Sequence, residues 1–359
     1  MSKPQNIAIV LPNWVGDVVM ATPALRALRE RFPDAYITHF GKAASLAVLA
    51  GGDLADDQMP DRSRQYPPAS SFIAQVRRIR RRSFDLAVLL PNSFRSASLF
   101  WLGGARQRAG YSRDGRGWML THRLLPMRDE DGEFLPVPTI EYYNALARML
   151  GAKADSWQMS LPVAPADQAA AEALLAEAGV DRARPLVMLN PGAAFGPSKL
   201  WPAERYAAVA DALIERRGAQ IIINAAPKER DIAAAVAAAM RHAPAINFAE
   251  RDNSIGLLKA LLRHTSLLVT NDTGARHFAA ALGAAVVTIF GSTDPTWARL
   301  DYPRERQLHV QVPCGPCQQK VCTQPQGDTF HQCMTAISAE MVLDAAEELL
   351  AQPAPEAGR

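Results

Sequence analysis

Val269-Thr270-Asn271-Asp272-Thr273-Gly274-Ala275-Arg276-His277-Phe278-Ala279-Ala280-Ala281 is the stretch that decides the fold. The apolar run Leu267 to Val269 stops at four small polar residues, and a helical pattern of Phe and Ala then begins. This reads as a buried strand, a tight loop and a helix N-terminus. Such a terminus offers unsatisfied backbone N–H groups and the positive end of the helix dipole, which together suit phosphate. The chain has no P-loop or metal motif for that task, so the loop points to a nucleotide diphosphate held without metal.

Outward from this stretch, short β-branched runs alternate with amphipathic helical segments, which predicts an α/β fold with parallel sheets. The expected strands are Ile7–Pro12, Ala35–Phe40 and Phe84–Leu90 in the first half. Those of the second half are Leu186–Asn190, Gln220–Asn224, Leu267–Thr270 and Ala285–Phe290. A Pro/Ala-rich bridge, Leu161 to Asp167, separates the halves, and an Ala-rich helix, Gln168 to Gly179, follows. The boundary is placed there, giving domains 1–165 and 166–337 and a C-terminal segment 338–359. In that segment Ser338 is the expected N-cap of a final helix reaching Leu350, and the tail from Ala351 is disordered by composition. Two Rossmann-like halves facing a cleft would bind ligands at the C-terminal ends of their strands. Neither half carries Gly-x-Gly-x-x-Gly after its first strand, which argues against nicotinamide or flavin chemistry.

The 359 residues, 48% of them hydrophobic, suffice for two full cores. The net charge of +3 marks no nucleic-acid binder. It is unevenly placed, however: Arg77 to Arg128 holds twelve arginines and two aspartates. That bias favours an acidic partner for the first half, or else a solvated basic helix face. No apolar run is long enough for a membrane span and no signal peptide is visible, so a cytoplasmic protein with reduced cysteines is expected.

Five stations could carry chemistry. Asp17 follows a strand and a Gly turn, where a carboxylate can accept a proton from a substrate hydroxyl; it can equally be the N-cap of a helix starting at Val18. Thr22-Pro23 is expected to interrupt that helix. Lys199 ends the Gly/Pro-rich loop 190–202 and can neutralise a departing diphosphate, or be an ordinary loop lysine anchored by Trp201-Pro202. Thr273 and Gly274 can hold phosphate oxygens, whereas Asp272 beside a phosphate needs another partner and His277 can be a packed core residue. Asp129-Glu130-Asp131 has no strand before it and reads as a solvated acidic turn, not a metal motif. Cys314-x2-Cys317-x4-Cys322-x10-Cys333, with His331, is compact enough for structural zinc but fits no standard finger; a reduced, half-buried loop is the alternative.

Taken together, these stations resemble glycosyltransferase family 9, the ADP-heptose:lipopolysaccharide heptosyltransferases. The resemblance runs from Ile7 to about Leu350 and rests on Trp14-Val15-Gly16-Asp17 with Thr22-Pro23-Ala24-Leu25. It continues with Asn190-Pro191-Gly192-Ala193, Lys199-Leu200-Trp201-Pro202, Asn271-Asp272-Thr273-Gly274-x-x-His277 and Phe290-Gly291-Ser292-Thr293-Asp294-Pro295. The cysteine segment is similar to that of the heptosyltransferase II subgroup. The resemblance implies a GT-B fold and metal-independent inverting transfer of heptose from ADP-heptose to heptosyl-Kdo2-lipid A, at the cytoplasmic face of the inner membrane and with no cofactor needed for catalysis. It implies an acceptor-binding first domain, a donor-binding second domain and a final helix that crosses back to the first. By the same resemblance Asp17 is the general base and Lys199 balances charge on the leaving ADP. Asp272, Thr273, Gly274, His277, Ala194 and Glu229 form the donor site, with Lys228 competing for the ribose contact of Glu229 and adenine near Asn253 and Ser254. Arg95, Arg106, Arg108 and Arg113 are the candidates for the acidic acceptor.

Overall fold

A computed structural model describes residues 4–352. The elements alternate along the chain. The first part runs β1 (Asn6–Val10), α1 (Val15–Arg31), β2 (Tyr36–Gly41), α2 (Ala43–Val48), β3 (Asp57–Pro60), α3 (Pro68–Arg82), β4 (Leu86–Leu89), α4 (Phe94–Leu102), β5 (Gln107–Tyr111), β6 (His122–Leu124) and α5 (Thr139–Met149). The second part runs α6 (Pro165–Glu177), β7 (Leu186–Asn190), α7 (Ala203–Arg217), β8 (Gln220–Ile223), α8 (Arg230–Ala239), β9 (Ile246–Asn247) and α9 (Ile255–Leu262). It closes with β10 (Leu267–Asn271), α10 (Gly274–Leu282), β11 (Ala285–Phe290), β12 (Glu305–His309), α11 (Gln332–Thr335) and α12 (Ala339–Ala351).

Two six-stranded sheets result, ordered β3-β2-β1-β4-β5-β6 and β12-β11-β10-β7-β8-β9. Every pairing within them is parallel. Both orders are the doubly wound arrangement, in which the chain reverses direction between the first and fourth strands. Helices cover both faces, so the central strands are apolar throughout rather than alternating: β7 and β10 are buried at every position. The architecture is the α/β, GT-B class expected from the sequence.

The chain separates into two compact units, one reaching Pro162 and joined by Thr296–Leu300, the other Val163–Pro295 with the chain from Asp301 onward. Trp297 O accepts from the Thr139 N–H at 2.9 Å and from Thr139 Oγ1 at 2.8 Å, tying the short returning segment to the start of α5. The final helix belongs to the second unit. It packs on α7, β10, β11 and β12 inside the second unit, with the Ser338 hydroxyl accepting from Met341 N–H at 3.3 Å as its cap. The tail from Pro353 lies outside the described residues.

Helix α1 starts three residues earlier than its sequence suggests and passes through Pro23 unbroken. Pro23 cannot donate to the Val19 carbonyl one turn back. The Thr22 hydroxyl donates to that carbonyl instead, at 2.7 Å. The Thr-Pro pair is thus a local replacement for one helical hydrogen bond.

Candidate functional site

In a doubly wound sheet the loops at the reversal point splay apart and leave a crevice at the C-terminal ends of the strands. The reversal lies between β1 and β4 in the first unit and between β7 and β10 in the second.

In the second unit, the loop after β7 carries Lys199 and the loop after β10 carries Asp272. Lys199 Nζ reaches Asp272 Oδ2 at 2.6 Å and the Asp272 carbonyl at 3.0 Å. The Thr293 hydroxyl donates to the same Oδ2 at 2.8 Å. The two charged side chains are only 9% and 11% exposed, so water screens the pair little. Burial works to raise the Asp272 pKa, but the Lys199 ammonium, then Arg276 and the Thr293 hydroxyl, overcome it and hold the carboxyl below its ordinary range. This supplies the partner that Asp272 needed. Lys199 also stands over the Phe195 ring, 4.9 Å from its centroid.

Thr273 is the N-cap residue of α10 but its side chain caps nothing in the helix. Its hydroxyl accepts from Asn190 Nδ2 at 3.1 Å, and Asn190 accepts in turn from Asn224 at 2.6 Å, which accepts from Asn253 at 2.6 Å. This amide relay fixes the floor of the crevice and leaves Thr273 and Gly274 partly exposed. Tyr206 OH donates to Asn271 Oδ1 at 3.1 Å, and Asn271 donates to the carbonyls of Pro191 at 2.9 Å and Gly192 at 3.3 Å, binding the two loops together. Glu229, not Lys228, turns inward: a β-carbon on Gly192 would strike its carboxyl. Burial there raises the Glu229 pKa, partly offset by the N–H groups of Ala226 and Ala193. Ala194 lies in the exposed turn that follows Gly192-Ala193.

His277 is placed as a packed residue rather than at the surface. It is 4% exposed, its Nδ1 has no hydrogen-bond partner among the described residues, and burial followed by Arg276 lowers its pKa to about 3. It is neutral at physiological pH. Asn253 and Ser254 stand at the start of α9, where the Ser254 hydroxyl is occupied as the cap, accepting from Leu257 N–H at 3.0 Å.

In the first unit, Asp17 sits in the first turn of α1, after β1, with Trp14 as N-cap residue. It is not the cap itself, and a carboxylate is favoured in this turn by the helix dipole. It is close enough to act electrostatically on Tyr143 of α5. Of the four candidate arginines, two lie at this end of the sheet. Arg95, in the first turn of α4, donates to Ser63 Oγ at 3.1 Å, and Arg113, after β5, stacks on Phe134 at 3.8 Å. Arg106 and Arg108 do not join them. Both sit at the opposite, N-terminal end of β5, Arg108 with its guanidinium on the carbonyls of Met119, at 2.5 Å, and Ala105. Arg106 stands 3.4 Å from Asp85. Strand β5 is not among the strands expected from the sequence; it opens with the polar pair Gln107-Arg108.

The residue that sequence reasoning missed is Arg116. It is fully buried at the C-terminal ends of β4 and β5, with Nε on the Tyr111 carbonyl at 3.0 Å, Nη2 on Asn92 Oδ1 at 3.1 Å and Nη1 on the Pro91 carbonyl. Burial lowers its pKa to about 10, so it stays cationic at neutral pH with no carboxylate bonded to it. Asn92 donates to Tyr142 OH at 2.9 Å, and Tyr142 stacks on Tyr111 at 3.6 Å. The second unit has an analogous missed group: Arg276, fully buried, is held bidentately by Glu305 of β12 at 2.5 and 2.9 Å.

The four cysteines line one cavity of about 230 Å³ together with Ser198, Ser292 and His331. Cys322 Sγ accepts from His331 N–H at 3.3 Å, and burial, then the other three thiols, raise the Cys333 pKa. Among the described residues no three His, Cys, Asp or Glu side chains are arranged to hold a metal ion. Asp129 accepts from Glu133 N–H at 2.8 Å in an exposed turn, as expected.

The chain as a whole is similar to known proteins. The pattern of glycosyltransferase family 9 (heptosyltransferase) aligns with residues 73–327. Lipopolysaccharide heptosyltransferase 2 of Escherichia coli (strain K12) is 28% identical over 97% of this chain and 99% of its own length. The glycosyl transferase family 9 structure from Veillonella parvula DSM 2008 superposes with a TM-score of 0.85, at 22% identity, covering 98% of each chain. The E. coli ADP-heptose lps heptosyltransferase II structure gives 0.76, at 24% identity, over 96% of this chain and 98% of that one. The family pattern spans well over half of the sequence, and it includes the loops that bring Lys199 to Asp272. The chain therefore belongs to glycosyltransferase family 9, the heptosyltransferases.

Proposed function

We propose that this enzyme transfers L-glycero-D-manno-heptose from ADP-heptose to heptosyl-Kdo2-lipid A, as a heptosyltransferase II of lipopolysaccharide core assembly. The observation that carries the donor half is the buried Lys199–Asp272 pair beside the uncapped N-terminus of α10. Two of the three Lys199 N–H donors bond to Asp272, and the third is available to a diphosphate oxygen. As the bond from the anomeric carbon to the diphosphate breaks, charge grows on ADP and this ammonium and the α10 N–H groups stabilise it. Thr273 and Gly274 hold phosphate, and Glu229 accepts from the donor ribose. His277 supports the helix from within.

On the acceptor side, Asp17 takes the proton of the attacking hydroxyl, whose oxygen forms the new bond to the anomeric carbon. The buried, uncompensated Arg116, with Arg113 and Arg95, makes this crevice electropositive, which suits the carboxylates and phosphates of an acidic glycolipid. No helix among the described residues is long and apolar enough to cross a membrane, and the lipid-borne acceptor is met at the cytoplasmic face of the inner membrane. A second reading, another heptosyltransferase of the same family, differs only in acceptor. Incubation with ADP-heptose and with other nucleotide sugars tests the donor assignment: transfer from ADP-heptose alone is expected, and equal use of a uridine nucleotide sugar would remove it.

Zinc at Cys314, Cys317, Cys322 and Cys333 is a separate structural proposal that rests on the cysteine spacing: the four thiols line one cavity, but no three of them are arranged to hold an ion as they stand. Elemental analysis of untagged protein decides it: about one zinc per chain is the stoichiometry of a single four-ligand site. Metal-free, fully folded protein retires it.

A further inference from the structure

From Arg62 to Arg113 the sequence carries eleven arginines and one acidic residue, Asp85. That one carboxylate accepts from the backbone N–H groups of Gln5 and Asn6, at 3.0 and 3.1 Å. Of the arginines of α3, Arg82 pairs with Asp57 of β3 at 2.7 Å. Arg77, Arg80 and Arg81 are exposed, and none pairs with a carboxylate among the described residues.

Helix α4 lies against α3. A β-carbon on Gly103, just after α4, would collide with Ile79, and the Arg95 guanidinium stands 4.8 Å from the Phe72 ring centroid. The inner faces of both helices fill the core with Ile79, Ala97, Leu99 and Phe100. The outer face of α4 should then be polar, and it is not. Trp101 and Leu102 are 43% and 44% exposed, and Trp118, 62% exposed, packs edge-on against Trp101 at 5.1 Å. Phe94, 51% exposed, lies two helical turns earlier, toward the end of the sheet that carries Asp17. Two exposed indoles in mutual contact, one of them on a helix packed against the arginine-rich α3, mark an interaction site. Indole rings prefer the boundary between water and acyl chain, and arginine favours an anionic leaflet.

We infer that the α3–α4 face, led by Trp101 and Trp118 and flanked by Arg77, Arg80 and Arg81, docks the enzyme on an anionic lipid surface. This rests on the reading above that the acceptor is lipid-borne. The charge complementarity selects a membrane over a second copy of the chain, because two such arginine-lined faces would repel.

Sedimentation with vesicles of phosphatidylcholine, with and without about 30% phosphatidylglycerol, tests this on the full chain. The native protein should bind only the anionic vesicles, less so as salt rises, with a blue shift of tryptophan emission. Trp101→Ala/Trp118→Ala should weaken binding by at least about tenfold. Arg77→Gln/Arg80→Gln/Arg81→Gln should cost roughly fivefold per charge and flatten the salt dependence. Heptose transfer to a delipidated, water-soluble acceptor should be unchanged in both variants, which separates failure of this inference from failure of the assigned activity. It also shows that the variants fold. Absence of binding to anionic vesicles, or binding that neither variant reduces, would overturn the assignment. So would self-association of native protein that Trp101→Ala/Trp118→Ala abolishes without any vesicle binding.

Discussion

Replacing Lys199 by Met tests the buried pair at the centre of the donor site. The substitution keeps most of the side-chain volume and removes the ammonium, leaving the Asp272 carboxylate with the Thr293 hydroxyl and the more distant Arg276. Both members of the native pair are about nine-tenths buried, so little solvent screening reduces the effect. Stranding one charge of a buried pair costs about 3–5 kcal/mol. The pH dependence has a definite sign. In the native chain the Asp272 pKa is depressed, so the pair contributes stability above the unfolded carboxylate value of about 3.9 and loses it as pH falls through the folded value. In the variant burial is opposed by less, the carboxyl moves upward, and protonation relieves the penalty. The stability gap between native and variant should thus be large at neutral pH and narrow on acidification. Denaturant unfolding at several pH values measures it. Lys199→Met/Asp272→Asn removes the stranded charge and should recover at least about half of the lost stability. Neither variant should recover turnover, which should fall by roughly 10²–10³ as when one electrostatic stabiliser is deleted. A double variant no more stable than the single one would refute the coupling, and unchanged turnover would take Lys199 out of the mechanism.

Three other outcomes follow from the geometry. Asp17→Asn should abolish transfer while calorimetry shows ADP affinity unchanged; near-native transfer would dismiss Asp17 as base. Gly192→Ala drives a methyl group into the Glu229 carboxyl, so it should displace that flexible side chain at little cost in stability and weaken ADP binding. Full ADP affinity in that variant would place Glu229 outside the donor site. His277 and His39, whose pKa values burial lowers to about 3 and about 4, bind protons more readily unfolded than folded. Stability should therefore fall as pH drops below about 6.5, by up to about 1.4 kcal/mol per pH unit for each histidine. A His277→Gln variant should show a shallower slope; an identical slope would mean that His277 is not buried neutral.

The central strands were legible because a parallel strand covered on both faces must be apolar along its whole length. Ala285–Phe290 and Leu186–Asn190 appear with the bounds their composition suggests. The outer strands were not legible. Asp57–Pro60, His122–Leu124 and Glu305–His309 are short and polar, and each is carried by pairing to an already formed neighbour. Glu305 shows how much this hides: in sequence it is a surface glutamate, yet its strand turns it onto a buried arginine. The strand-to-helix junctions that hold Asp17, Lys199 and Asp272 were readable. Their chemistry was only half readable, because the partner of Lys199 lies 73 positions away and Thr293 beyond it. Arg106 and Arg108 misled for the opposite reason: charge density marked the right unit, but strand direction decides which end of the sheet a residue reaches.

The account turns on donor and acceptor together, and one assay addresses both. Heptose transfer from ADP-heptose should be followed in the presence of EDTA with two acceptors in parallel, Kdo2-lipid A bearing one heptose and Kdo2-lipid A bearing none. Transfer to the heptosylated acceptor alone, undiminished by the chelator, is the expected result. Transfer to the unheptosylated acceptor alone, or to neither, would contradict it.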